Sequence, residues 1–202
     1  QPDALETLHD IIKEAKMANA IVVKVLAFVR PLQLQAERVS LADVLAISIT
    51  LSAGTRRRGA VSIDTDVAPD VPDLLADSHQ LRQFFSNLLA NAFEALGGEG
   101  HVHLGASLVA VDEDLSPGGE AAAPQVAIEV RDSGPGIAAD DLERIFSPFF
   151  TTKPQGTGLG LAIVRKVVDA HDGRIDAVSA PGRGATFRVT LPVVPSIRSM
   201  GR

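Results

Sequence analysis

The chain has 202 residues, 46% hydrophobic and 22% charged, with a formal net charge of −6. That is enough apolar material for one large domain, or a domain with a smaller appendage, and the acidic balance argues against a nucleic-acid binder. With no cysteine there is no disulfide framework, thiolate zinc site or cysteine nucleophile, as suits a reducing cytoplasm.

No apolar run approaches the roughly 18 residues needed to span a bilayer. The longest, 20–29, is broken by Lys24, and Asp3, Glu6 and Asp10 stand where a secretory leader would be basic. No membrane contact by this chain is expected.

Over 4–30 no glycine or proline occurs, and Leu5, Leu8, Ile12, Ala15, Val22, Leu26 and Val29 fall three and four apart, with Asn19 on the same seam. The pattern predicts a long helix whose heptad seam is buried against other helices; the alternative is an amphipathic helix packed on its own domain. A lone seam asparagine fixes register or oligomer state at some cost in stability. Pro31 ends the helix, because proline disfavours helical geometry at the residue before it. A second helix is expected over 41–51, stopping near Gly54, and Arg56, Arg57 and Arg58 read as a solvated loop.

Residues 61–64 alternate like a strand. Asp77 and Gln80 form a capping box, Asp77 capping and Gln80 reaching back, and so open a long helix. Leu81, Phe84, Phe85, Leu88, Ala92 and Leu96 make its buried face, and Gly97 and Gly98 close it. Strands are expected at 101–111 and 125–131. The connection 112–124, rich in glycine, proline, alanine and acid, reads as a mobile loop. A helix at 161–171 and strands at 174–179 and 186–191 follow, and 196–202 read as a disordered tail.

Four short motifs carry the chemistry, each weak alone. Asn87 and Asn91 are four apart, so both amides leave one helix face, and an amide oxygen is a hard ligand suited to magnesium. Asp132 follows an apolar strand and precedes Gly134 and Gly136. A carboxylate there can accept a hydrogen bond from an adenine amino group while the glycines let backbone approach the base. Gly156-Thr157-Gly158-Leu159-Gly160-Leu161 opens a helix, whose N-terminal amides attract phosphate. It lacks the lysine of a nucleotide-triphosphatase loop and the acidic ribose partner of a dinucleotide fold. Gly182, Gly184 and Thr186 precede a strand. Between the second and third motifs, Phe146, Pro148, Phe149 and Phe150 read as a hinged lid that leaves Lys153 free to reach a phosphate.

In this order the motifs resemble the ATP-binding domain of two-component sensor histidine kinases, within the superfamily shared with DNA gyrase, the ninety-kilodalton heat-shock chaperones and the MutL repair proteins. The match runs over about 41–192. The stretches 91–95 and 150–153 look most like the nitrogen-regulation branch, and residues 28–31 resemble the exit of the second helix of a kinase dimerisation hairpin.

The resemblance implies an α/β two-layer sandwich, a mixed sheet backed by helices, with residues 1–38 as the second helix of the hairpin and 39–195 as the catalytic domain. It implies ATP and Mg2+ as cofactors, a homodimer formed through the N-terminal helix, and a response-regulator receiver domain as partner. Asn91 would ligate magnesium, with Asn87 beside it. Asp132, Gly134, Gly136 and Thr186 would hold adenine; Gly156, Thr157, Gly158, Leu159, Gly160 and Leu161 would cradle phosphates, with Lys153 on the lid.

Two departures matter. Relatives that hydrolyse ATP carry a glutamate at the position of Asn87, and an amide takes no proton from water at neutral pH, which favours transfer over hydrolysis. The acceptor histidine is missing: the segment at His9 has no proline and lies on the second helix, so His9 reads as solvated. His171 stands at a helix end, where imidazole stabilises the terminus; His79, His101 and His103 show no metal pattern. A nucleotide-sensing module without transfer, and an anti-sigma-factor type of serine kinase, are the competing readings.

Overall fold

Strands with one apolar and one polar edge can bury only one face, and this chain covers that face with three helices. The computed structural model describes residues 2–54, 60–109, 124–153 and 156–194. In chain order the elements are α1 (Pro2–Val29), β1 (Glu37–Val39), α2 (Leu41–Gly54), β2 (Ala60–Val67), β3 (Leu74–Ala76), α3 (Ser78–Leu96), β4 (Glu99–Val109), β5 (Gln125–Asp132), α4 (Ala139–Leu142), α5 (Gly160–Ala170), β6 (Arg174–Ser179) and β7 (Ala185–Pro192).

The main sheet runs β2-β4-β5-β7-β6. β2 and β4 are parallel and the remaining pairs antiparallel, so the sheet is mixed. Helix α3 lies between α2 and α5 and packs on β4 and β5, while α5 packs on β6. This is the α/β sandwich expected from the motifs.

Alternation positions the site. Val126, Ile128 and Val130 of β5, with Val102 and Leu104 of β4, are buried beneath Leu81, Phe84, Phe85, Leu88 and Leu89 of α3. The Phe84 and Phe85 rings meet edge-on at 4.6 Å, a favoured arrangement of their quadrupoles. Burying the thirty or so apolar side chains of this layer, at about 1.5–3 kcal/mol for each large one, outweighs any single polar contact in the fold.

Helix α3 starts where Asp77 accepts hydrogen bonds from His79 N and Gln80 N, both at 3.0 Å. It stops at Gly97, whose φ of 64° is the left-handed turn that favours glycine. Gln80 does not complete the capping box: its Oε1 is buried without a partner. The Asp77 N–H instead donates to His171 Nε2 at 3.1 Å, 94 residues away.

Two further differences concern short pieces. β1 and β3 pair as a two-stranded antiparallel ribbon at three residues each, too short for periodicity to show. The single-turn α4 is likewise too short for the sequence pattern to mark. Along the α1 seam, Leu8, Ile12, Val22, Leu26 and Val29 are exposed, Val29 by 69%. Arg56, Arg57, Arg58, the loop 112–123 and the tail 196–202 lie outside the described residues.

Candidate active site

The site forms where α3, the end of β5 and the start of α5 come together. Asn87 and Asn91 leave α3 on the side facing α5. A Cβ built on Gly160 would lie 3.6 Å from Asn87 Oδ1, and 3.8 and 3.9 Å from Asn91 Nδ2 and Oδ1. Asn87 spends its Nδ2 on Gln83 O at 3.0 Å, which leaves Oδ1 turned to the site. Asn91 Nδ2 is buried with no partner at all. An orphaned buried donor costs about 1–3 kcal/mol unless something completes it.

The N-terminus of α5 adds the complementary half. Its N-cap Leu159 offers no side-chain cap, and no acidic residue occupies the first turn. The first-turn N–H groups and the positive end of the helix dipole therefore lie beside the asparagines without a side-chain cap, an arrangement suited to an anion. Leu159 is fully buried and Leu161 packs on the core, so these two anchor the glycine loop while Gly160 leaves room above it.

Asp132 ends β5 and is only 5% exposed. Both hydrogen bonds to it fall on Oδ1, from Gly134 N at 2.9 Å and Ala185 N at 3.3 Å. That leaves Oδ2 for an incoming donor. The β6–β7 turn closes against it: Gly182 N donates to Pro135 O at 2.7 Å. Gly184, at φ 72°, passes so near that a Cβ there would run into Asp132 O. Gly136, at φ 76°, is pressed against Ala180 O in the same way.

Thr186 is not brought to this site. It pairs across the sheet with Arg131 and Val178, both exposed, whereas its neighbours Ala185 and Phe187 are buried. Strand alternation therefore puts Thr186 on the outer face and gives the place beside Asp132 to Ala185.

The segment between the two glycine motifs folds over the opening. Phe149 takes φ 66°, rare for a bulky side chain, and its N–H donates to Gly158 O at 3.0 Å. The Arg144 guanidinium lies over the Phe150 ring at 4.5 Å and that of Arg165 over Phe146 at 5.7 Å. Gly156 N returns to Lys153 O at 3.1 Å, with Thr157 following, half-buried. Lys153 is not free here: its Nζ pairs with Glu94 Oε2 at 2.7 Å. Glu94 lies three residues beyond Asn91 on α3, close enough to claim the ammonium when no phosphate competes.

Two strand histidines share one carboxylate. His101 and His103 both contact the Asp64 carboxylate on β2, and Ser62 Oγ meets His101 Nδ1 at 2.9 Å. The hydrogen bond from His103 is the main reason the Asp64 carboxyl stays below the usual carboxylate range. Among the described residues no three His, Asp or Glu side chains gather to hold a metal.

Residues 76–195 match the family described as histidine kinase-, DNA gyrase B-, and HSP90-like ATPase, over the same span that builds this site. The chain belongs to this family. Its relatives within the family include the sensor histidine kinase ZraS of Klebsiella oxytoca, 40% identical over 181 residues, which are 90% of this chain and 37% of that protein. The sensory histidine kinase/phosphatase NtrB of Rhodobacter capsulatus is 42% identical over 144 residues, 71% of this chain and 40% of NtrB. The latter agrees with the expected nitrogen-regulation likeness. Full-length ShkA, solved in complex with AMPPNP, aligns with a TM-score of 0.75 at 29% identity, covering 93% of this chain and 38% of ShkA. The chain thus spans less than half the length of these relatives. Family and fold together make it an ATP-binding catalytic domain of the histidine-kinase type.

Proposed function

We propose that this domain transfers the terminal phosphoryl group of ATP to a histidine on a helix outside the chain, for relay to an aspartate of a response-regulator receiver domain. The observation that carries the reading is the meeting of Asn87, Asn91 and the uncapped N-terminus of α5, with Asn91 Nδ2 buried and unpartnered. Donor and acceptor groups left open at one point fit a ligand that is itself both anionic and metal-bearing.

In this reading Asp132 Oδ2 accepts from the adenine amino group, with Gly134, Gly136 and Ala185 backing the base. The glycine loop of Gly156, Gly158 and Gly160 and the first turn of α5 hold phosphates. Magnesium fits the asparagines, since a neutral amide oxygen suits a hard cation that keeps most of its ligands from phosphate and water; Asn91 would hold it, with Asn87 beside it. When bound, it neutralises phosphate charge. Lys153 leaves Glu94 for the phosphates as the lid closes. Asn87 offers no base to activate water, so transfer rather than hydrolysis is the productive route.

Residues 1–38 are read as the second helix of a dimerisation hairpin and 39–195 as the catalytic domain, in a cytoplasmic part of the parent protein. The exposed α1 seam supports a homodimer formed through that hairpin. His9 is exposed on α1 and lies on the helix opposite the expected acceptor.

ATP radiolabelled on its terminal phosphate, incubated with this chain and with a separate protein carrying the upstream helix, tests the proposal. Acid-labile, alkali-stable label on that helix alone is the expected result. Confirmed ATP binding with no label on any protein would instead assign a nucleotide-sensing module.

A further inference from the structure

α1 ends without the means to satisfy its own last carbonyls. It has no basic residue in its final turn, and Pro31 beyond it has no N–H to return to the helix. Arg30 N covers Leu26 O at 3.0 Å. Phe28 O and, just beyond the helix, Arg30 O are met from a different element. Lys166 of α5 donates its Nζ to Phe28 O and, at 2.7 Å, to Arg30 O. The same ammonium lies 5.4 Å from the centre of the Phe28 ring. A cation placed there also meets the negative end of the α1 dipole.

Apolar contacts mark the same spot. Val25, Phe28 and Leu32 are half-buried against the domain core, while Val22, Val23 and Leu26 remain exposed. The end of α1 is therefore held against the domain, with Lys166 of α5 as its polar anchor. Helix α5 is itself rigidly held, with Ala162, Ile163, Val164, Val167 and Val168 buried. Gly160, facing Asn87 and Asn91, stands six residues before Lys166, about 9 Å along the axis.

We infer that Lys166 is a positioning residue: by capping α1 it fixes where that helix stands relative to the nucleotide site at the start of α5. Phosphoryl transfer to a helix paired with α1 then depends on Lys166 although the residue touches neither nucleotide nor acceptor. The consequence for transfer rests on the kinase reading above; the holding of α1 does not.

The chain has no cysteine, so Glu14→Cys on α1 with Asp176→Cys on β6, both exposed in the native chain, give a clean pair for spin labels. Pulsed electron-electron resonance is expected to show one narrow distance distribution with Lys166 intact. Lys166→Met keeps the stem and removes the donors; the distribution should broaden, and Lys166→Arg should restore it. The same Met variant is expected to bind ATP as the parent does by calorimetry, and to lose about tenfold or more in kcat for transfer, with KM for ATP unchanged. A Met variant with an unchanged distribution overturns the capping role. An altered distribution with unchanged kcat overturns the positioning role. If the parent itself transfers nothing while binding ATP, the kinase reading fails, and the distance measurement still decides whether Lys166 holds α1.

Discussion

His171 Nε2 accepts the backbone N–H of Asp77 while its Nδ1 donates to Val167 O at 2.8 Å, so one neutral imidazole joins the end of α5 to the start of α3. The bond from Asp77 needs the ring uncharged, because Nε2 accepts only when it carries no proton, whereas the Nδ1–H bond to Val167 O survives protonation. Burial pushes the His171 pKa down, against smaller opposing effects from Val167 O, Asp77 and Asp172.

A pH dependence follows. The unfolded chain takes up a proton on this ring near pH 6.5, whereas the folded chain resists it until lower pH. The stability is therefore fully present above about pH 6.5 and is lost as pH falls from there toward the depressed folded value. Urea midpoints should be lower at pH 5.5 than at pH 7.5. His171→Gln should be less stable than the parent at pH 7.5, and should show a smaller drop between the two; an equal drop would assign the effect elsewhere.

Asp132→Asn replaces a buried acceptor that holds two backbone N–H groups. Losing a charge-assisted bond to the base, worth about 1.5–3 kcal/mol, predicts ATP affinity at least tenfold weaker by calorimetry. Unchanged affinity would remove Asp132 from the base pocket.

Gly184→Ala tests the close approach behind that carboxylate. The new methyl meets Asp132 O and must adopt a positive φ, so a loss of about 2 kcal/mol or more in folding stability is expected, together with weaker ATP binding. A variant with the parent's thermal midpoint would show that the turn relaxes without penalty.

For Asn91→Ala the expected effect is confined to the metal. Magnesium should tighten nucleotide binding in the parent and do so little in the variant, read by calorimetry with and without chelator. Equal tightening in both would move the metal to another ligand.

Glu94→Gln should release Lys153. The pair is exposed at 41% and 54%, so its worth is about 0–1 kcal/mol, and ATP affinity should rise no more than about fivefold. A fall in affinity would mean that Glu94 assists the nucleotide instead of competing with it.

The long elements and the order of the motifs were legible in the sequence because they depend on local spacing. The face of α3, its Asp77 cap and its Gly97 stop are of this kind. What could not be read depends on partners far apart in the chain. His171 stands at a helix end, but its second bond goes to Asp77, and the Gln80 Oε1 that the capping-box pattern assigns to that N–H is left without a partner. Lys153 looked free because Glu94 is 59 residues away. Thr186 is one residue from the face it was expected to share with Asp132, and a period of two makes one residue decisive. The three-residue β1 and β3 carry too few positions for any period to register.

Among the described residues the order β2-β4-β5-β7-β6 leaves β2 and β6 with one open side each. An unpaired strand edge invites a strand from another molecule, the first step of sheet-to-sheet aggregation. Here β2 carries exposed Asp64 and Asp66, and β6 carries exposed Arg174 and Asp176, so a strand added at either edge would have to line its own side chains up against charge. At high concentration, copies of this domain can therefore crowd without their sheets fusing.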